Sequence, residues 1–365
     1  MRANTLFELR YGRALVEAAR RPGRIPVYGT NGRCGSHDTP LFKGPGLVLG
    51  RKGQGPLGVE WVNGDFWVID TAYALEPITN DVDLKFSYYL IKHVGLNHLK
   101  DGTSNPSLGR DTFASQLFPL PPIEEQQRIA KTLGALDDKI ASNRRAISLE
   151  FGLASSQLST GTKALRVGDV ATMKKGLSYK GAGLDDGSAT NALPMLNLAN
   201  FTTTGQLNAE GTKYYAGDFK PAHRLREFEL LVANTDLTQS REILGRGFLV
   251  PPAFAGSIHT HHTSVVRFTG SPWMAAFLWA QLQSPEFRER AEGFATGTTV
   301  TALPVEALLD FTFRVPANPE RLFEQVSTLI RHAWQLEGQN NRLVAIREAL
   351  LPELLSGRIR ATGGR

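Results

Sequence analysis

The chain has 365 residues, enough for two or more domains, and its 41% hydrophobic and 21% charged residues exclude a disordered, collagenous or purely coiled-coil protein. A single cysteine excludes a disulfide framework, and the net charge of +6 favours a polyanionic partner. The surplus is local: residues 1–60 hold ten Lys or Arg against four Asp or Glu, which accounts for all of it.

No secretory n- and h-region opens the chain, and Glu8 and Glu17 interrupt the early arginines of a would-be transit peptide, so a cytoplasmic location is expected. Short β-like runs follow, among them Gly46–Gly50 (GLVLG) and Phe66–Asp70, each bounded by turn residues. A short helix is expected from about Asp83, carrying Phe86, Tyr89 and Leu90. Gly102-Thr103-Ser104 then precedes Leu108, a hydrophobic strand ending in Pro119–Pro122, and a long helix over 122–158. In that helix Ile129, Leu133, Leu136, Ile140, Asn143, Ile147 and Ala154 advance by alternating threes and fours, with one skipped position at Glu150.

The second half follows the same order. Ser264–Phe268 is β-like, and Ser271 and Pro272 open a helix through Gln283. Trp273–Leu282 is the longest apolar stretch, half the length of a membrane span, and reads as a buried helix; no membrane partner is expected. Gly297-Thr298-Thr299 precedes Leu303, a strand over Leu308–Val315 and a second long helix over 319–351. Its stripe is Leu322, Val326, Leu329, Ala333, Leu336, Asn340, Leu343, Leu350 and Leu354, broken only at Arg347.

The two Gly-Thr segments are offset by 195 residues, Ile25-Pro26-Val27-Tyr28 resembles Leu193-Pro194-Met195-Leu196 at 168, and Tyr11-Gly12 resembles Lys175-Gly176 at 164. One element order met twice points to an internal duplication whose second copy has longer loops. Copy two opens with Leu165–Val170, whereas only Met1–Thr5 precede the matching Leu6 in copy one, so either the first domain is expected to lack an edge strand or the true start is expected upstream.

The expected fold class is α+β, a pseudo-two-fold repeat of two β-rich domains with short helices. The divisions are 1–120 and 161–317 for the domains, 121–160 and 318–358 for the long helices, and 359–365 for a tail. Rods of roughly 50 Å cannot bury a stripe alone. Antiparallel pairing in a coiled coil, with Asn143 and Asn340 setting the register, is expected over helices that each lie on their own domain.

Common catalytic signatures are missing from the sequence. Gly50-Arg51-Lys52-Gly53 lacks P-loop spacing, and Val250-Pro251-Pro252-Ala253 has neither end of a methyltransferase tetrapeptide. A nuclease reading would use Asp70, Asp83 and Lys85, but the last two sit at a helix start, where Asp83 serves as N-cap. His259, His261 and His262 lack further ligands at metal spacing.

The segments IPVYGTNG (25–32), LVLGRKGQG (47–55), FWVIDTAYAL (66–75), PLPPIEEQQRIAKTLGALDDKI (119–140) and LVAIREALLPELLSGRI (343–359) resemble the specificity subunit of type I restriction-modification enzymes. The resemblance implies two target-recognition domains, each reading half of a split double-stranded DNA site. It also implies two antiparallel spacer helices that dock two methyltransferase subunits. Translocase-nuclease subunits would complete the complex. The chain itself would hold no cofactor and do no catalysis, with S-adenosylmethionine, ATP and magnesium on its partners. A scaffold that binds only protein is the remaining alternative.

Loop residues that combine donors or aromatics with nearby glycines are the expected DNA contacts. In copy one these are Asn31, Arg33, Arg51, Lys52, Gln54, Thr71, Tyr73 and Thr103. In copy two they are Lys174, Tyr179, Lys180, Arg241, Arg246, His259, His261 and Thr298.

Overall fold

The computed structural model describes residues 1–238, 240–271, 273–297 and 300–361. They form two compact units, Met1–Ser142 with Asn340–Arg365, and Asn143–Gln339. Each unit therefore takes in part of both long helices, and neither ends at the chain-order boundaries near 120 and 317.

The first unit opens with β1 (Phe7–Tyr11), the hairpin β2 (Ile25–Gly29) and β3 (Gly32–His37), β4 (Gly46–Gly50), β5 (Val59–Val62), β6 (Trp67–Val68) and β7 (Ala72–Pro77). β1, β7, β4 and β5 form an antiparallel sheet in that order. A second sheet has the order β3, β2, β6, with β2 and β6 parallel. The unbroken apolar run of β4 reflects burial on both faces. Leu47 and Leu49 face α1 (Leu84–Val94), while Val48 joins Val62, Phe66, Val68, Ala72 and Ala74 on the other side. Asp83 caps α1, accepting the Phe86 amide at 2.7 Å. The unit continues through β8 (Lys100–Asp101), β9 (Ser107–Leu108), α2 (Arg110–Ala114) and the start of α3 (Ile123–Leu158). The edge strand expected to be missing survives as a single bridge. Arg2 pairs with Leu117, and the Ala3 amide donates to the Gln116 carbonyl at 2.8 Å.

The second unit continues with β10 (Lys163–Arg166), α4 (Val167–Val170), β11 (Ala171–Lys175), β12 (Leu184–Asp185), β13 (Leu193–Leu196) and β14 (Lys213–Tyr215). Next come β15 (Leu230–Ala233), β16 (Thr235–Asp236), β17 (Gly247–Leu249), β18 (Ile258–His259) and β19 (Thr263–Phe268). α5 (Trp273–Gln281), α6 (Pro285–Phe294), β20 (Thr301–Ala302), α7 (Val305–Leu309), β21 (Thr312–Val315) and α8 (Pro319–Leu355) complete the chain's elements. The main sheet has the order β11, β19, β15, β17, all antiparallel. A side sheet has the order β12, β14, β13, β18, with β13 and β18 parallel. The apolar stretch from Trp273 is the buried helix α5, with every residue from Ala275 to Gln281 inside. Pro272 lies outside the described residues.

Of the expected helix stripe, Ile129, Leu133, Ile140, Asn143, Ile147, Ala154, Val326, Ala333, Asn340 and Leu354 are buried. Leu136, Leu322, Leu329, Leu336, Leu343 and Leu350 are half-buried. The covered face is wider than a heptad seam, because each helix also packs on the core of its own unit. Phe151, Leu158, Ile330 and Trp334 join α5 and the main sheet in the second unit, and Ile129, Ala130, Leu133 and Leu354 join the core of the first. Both interruptions of the stripe are paired polar groups. In the first unit Arg347 meets Asp137 at 2.7 Å, and the other Asp137 oxygen accepts the Tyr89 hydroxyl at 2.6 Å. In the second, Glu150 meets His332 at 2.6 Å, and the Asn143 amide donates to the Gln339 side chain at 2.7 Å.

Candidate nucleic-acid interface

In the first unit four loops converge at one end of the main sheet. The Thr30 hydroxyl reaches the carbonyls of Lys52 (2.8 Å) and Thr71 (2.9 Å), and the Gly58 amide donates to the Thr30 carbonyl at 2.8 Å. A Cβ on Gly50 would lie 2.4 Å from that carbonyl, so the approach requires glycine there. The Gly53 amide donates to the Pro106 carbonyl at 3.0 Å, and the Lys100 ammonium spans the carbonyls of Gly53, Gln54 and Gly55 at 3.0 to 3.2 Å. Loops stapled in this way hold their outward side chains in fixed places.

Arg51 is the best placed of those side chains. Its amide donates to the Thr71 carbonyl (2.9 Å), its carbonyl accepts the Leu108 amide (2.8 Å), and its guanidinium donates to the Asp70 carbonyl (2.9 Å). The guanidinium lies 4.9 Å from the centre of the Tyr11 ring, and that of Arg110 lies 5.3 Å from it. Tyr11 is 51% exposed at the end of β1. Neither Tyr11 nor Arg110 was expected from sequence. Tyr11 stood out only as the partner of Lys175 in the repeat.

Asn31, Arg33 and Thr103 are exposed. Gln54 is exposed too, its amide tied to the Thr103 and Ser104 carbonyls at 3.3 and 3.1 Å. Lys52 and Thr71 are half-buried, each with its carbonyl used by Thr30. Tyr73 must be withdrawn as a DNA contact. It is 1% exposed and donates to the Leu108 carbonyl at 3.1 Å. Burial, with the neighbouring Tyr11 hydroxyl adding to it, pushes its phenol up to about 12.

Two backbone hydrogen bonds of the second unit parallel those around Arg51. The Asn234 amide donates to the His262 carbonyl and its carbonyl accepts the Leu303 amide, both at 2.8 Å, as Arg51 does with Thr71 and Leu108. Gly12 and Gly176 also correspond. A Cβ on Gly12 would meet the Ile69 carbonyl oxygen at 2.1 Å, and one on Gly176 that of His259 at 2.2 Å. Where the first unit carries a guanidinium, the second has the 7%-exposed Asn234, whose amide donates to the Ser264 hydroxyl at 2.8 Å. Buried Asp236 organises the following loop, accepting the Thr238 amide and hydroxyl (both 2.7 Å) and the Ile243 amide (2.9 Å).

Lys174, Lys180 and His261 are exposed, and the His261 ring lies 4.0 Å from that of His262. Tyr179 is half-buried against Tyr215, with Lys213 over its ring at 5.9 Å. Arg241 is half-buried with a positive φ of 52°. Arg246 is half-buried and donates to Gln283 at 2.9 Å. His259 must be withdrawn: it is fully buried, meets the Thr263 hydroxyl at 2.9 Å, and burial drives its imidazole down to about 3. Thr298 lies outside the described residues.

The nuclease alternative finds its residues otherwise employed. Asp83 caps α1, and the Lys85 ammonium lies 4.3 Å from the centre of the Trp61 ring. Among the described residues, no group of three or more His, Cys, Asp or Glu is placed to hold a metal ion.

The first unit is thus a mixed α/β domain presenting an arginine-rich, glycine-shaped loop cluster at one sheet end, and Asn234 in the second unit makes the same pair of backbone bonds as Arg51. Residues 1–150 match the type I restriction modification DNA specificity domain. Among solved structures, the S subunit of the type I restriction-modification system from M. genitalium shares the fold at 15% identity and a TM-score of 0.63, over 97% of this chain and 95% of that one. The HsdS subunit of Thermoanaerobacter tengcongensis matches at 15% identity over 87% and 82% of the two chains, with a TM-score of 0.33. A chain from a study of complex assembly and conformational transition of the type I R-M system matches at 13% identity over 97% and 96%, with a TM-score of 0.38. No curated protein matches the sequence.

Proposed function

We propose that this chain is the non-catalytic DNA-recognition subunit of a type I restriction-modification complex in the cytoplasm, and that each unit reads one half of a bipartite double-stranded site. The observation that carries this reading is the shared hydrogen-bond frame around Arg51 and Asn234, which presents different side chains in the two units. A duplicated frame with unlike faces suits two unlike half-sites, with loop lysines setting register on phosphates and fixed polar groups reading base edges. Methyltransferase subunits would dock along the long helices, and translocase-nuclease subunits would join them. S-adenosylmethionine, ATP and magnesium would be bound by those partners.

Base modification mapped in host cells with and without the gene tests the reading. One bipartite motif should lose its modification when the gene is deleted. An unchanged set of modified motifs would refute the proposal.

In the same reading α3 and α8, with 36 and 37 residues, act as a paired antiparallel spacer. At about 1.5 Å per residue each is about 55 Å long, more than one DNA turn of roughly 34 Å. Inserting four residues after Ser142 and four after Gln339, close to one helical turn in each, adds about 6 Å. The preferred gap between half-sites should then grow by about one or two base pairs, at about 3.4 Å each, with both half-sites unchanged. An altered half-site, or an unaltered gap in a variant that still binds, would show that the helices do not set the spacing.

A further inference from the structure

We propose that Arg51 and Arg110, arrayed over the ring of Tyr11, read guanine in the half-site contacted by the first unit, an assignment that rests on the DNA-recognition reading above. Arg51 is immobilised at three levels. Its backbone is bonded on both sides, its guanidinium is tied to the Asp70 carbonyl, and the guanidinium carbon lies 4.9 Å from the centre of the Tyr11 ring and 5.5 Å from that of Tyr73. Arg110 lies over the same Tyr11 ring at 5.3 Å, and among the described residues it has no hydrogen-bond or ion-pair partner for its side chain. Two guanidiniums gathered on one half-exposed ring, with no carboxylate paired to either among the described residues, repel each other until an anion or an acceptor-rich surface arrives.

The fixed plane separates a base reader from a phosphate anchor. A phosphate presents oxygens in many directions and is satisfied by a flexible ammonium, whereas a rigid guanidinium offers parallel donors that need two acceptors in one plane. In the major groove only guanine supplies that pair, at O6 and N7. Adenine pairs one acceptor with a donor, thymine offers one acceptor beside a methyl group, and cytosine offers a donor. Tyr11 is then a positioning residue, holding the forks without touching the base edge itself.

The test presents the full-length chain with duplex DNA containing a randomised window of about three helical turns. Wild type is expected to select a bipartite motif with guanine in one half. Arg51→Ala and Arg110→Ala should each flatten a guanine position in that half, with a roughly 5- to 150-fold loss of affinity for the original site. Arg51→Lys should flatten the same position despite its retained charge, and Tyr11→Leu should weaken the guanine preference. The urea unfolding midpoint of each full-length variant, set against wild type, reports whether the first unit is folded. An unchanged motif, with lower affinity and a salt dependence reduced by about one phosphate contact, would overturn the assignment in favour of phosphate anchoring. If wild type selects no sequence at all, the recognition reading itself falls, and the guanine assignment with it.

Discussion

Replacing Trp279 with alanine should lower the folding stability of the second unit by about 4 kcal/mol, measured by urea denaturation of the full chain. The indole is 1% exposed in the last turn of α5 and meets Phe151 of α3 edge to face at 5.9 Å. Its Nε1–H donates to the Gly205 carbonyl at 2.7 Å. The neighbouring loop cannot close the void, because Gly205 sits at a φ of +73° and a side chain there would already crowd the indole nitrogen at 3.0 Å. Truncation therefore loses the transfer energy of a large ring, leaves a cavity, and strands a buried carbonyl. Trp279→Phe keeps most of the ring and loses the hydrogen bond, and should cost about 1–2 kcal/mol. A loss below about 1 kcal/mol for the alanine variant would show that the core is not built around this side chain.

Glu337→Gln should make the second unit more stable at pH 8 by about 2–3 kcal/mol and leave it unchanged at pH 4. Burial on α8 raises the Glu337 carboxyl from 4.5 to about 7. A raised acid stays protonated in the folded state after the unfolded chain has released its proton. Stability therefore falls as pH rises from about 4.5 to about 7, and the full penalty persists above that. Glutamine keeps the shape and has no proton to lose. Equal unfolding midpoints for the two proteins at pH 8 would show that Glu337 does not bear this penalty.

The helices were the most legible part of the sequence, because their signals are local. Asp83 precedes α1 as an N-cap, and α5 coincides with the longest apolar run. The heptad reading of the long helices captured Ile129, Leu133 and Val326 but passed over Phe151, Ile330 and Trp334. A seam for one partner is narrower than a face that must also cover a domain core. Glu150 and Arg347 looked like defects in the stripe and are paired with His332 and Asp137, a relation that only tertiary contact reveals.

The loop cluster was partly legible. Gly50, Arg51 and Lys52 mark a basic turn in any reading. Tyr73 and His259 were misplaced because each lies on a strand whose neighbouring residues are all buried, so the alternation that normally separates inside from outside is absent. Tyr11 and Arg110 were missed for another reason. They are 40 and 59 residues from Arg51 in the chain, and they meet it only through the order β1, β7, β4 and the packing of α2.

The frame around Arg51 has a consequence for how such a protein changes over generations. The two bonds that fix this position in the fold come from its own amide and carbonyl, so a different side chain there leaves the scaffold standing. Arg51 is half-buried and its side chain donates to the Asp70 carbonyl, so exchange there costs about 1 kcal/mol, a small part of a domain's stability. Asn234 is less free, because its buried amide is bonded to Ser264, and most replacements would leave that hydroxyl without its donor. If the chain reads DNA as proposed, heritable drift in sequence preference is cheap in the first unit and constrained in the second, and new specificities should arise by single substitutions more often in the N-terminal half.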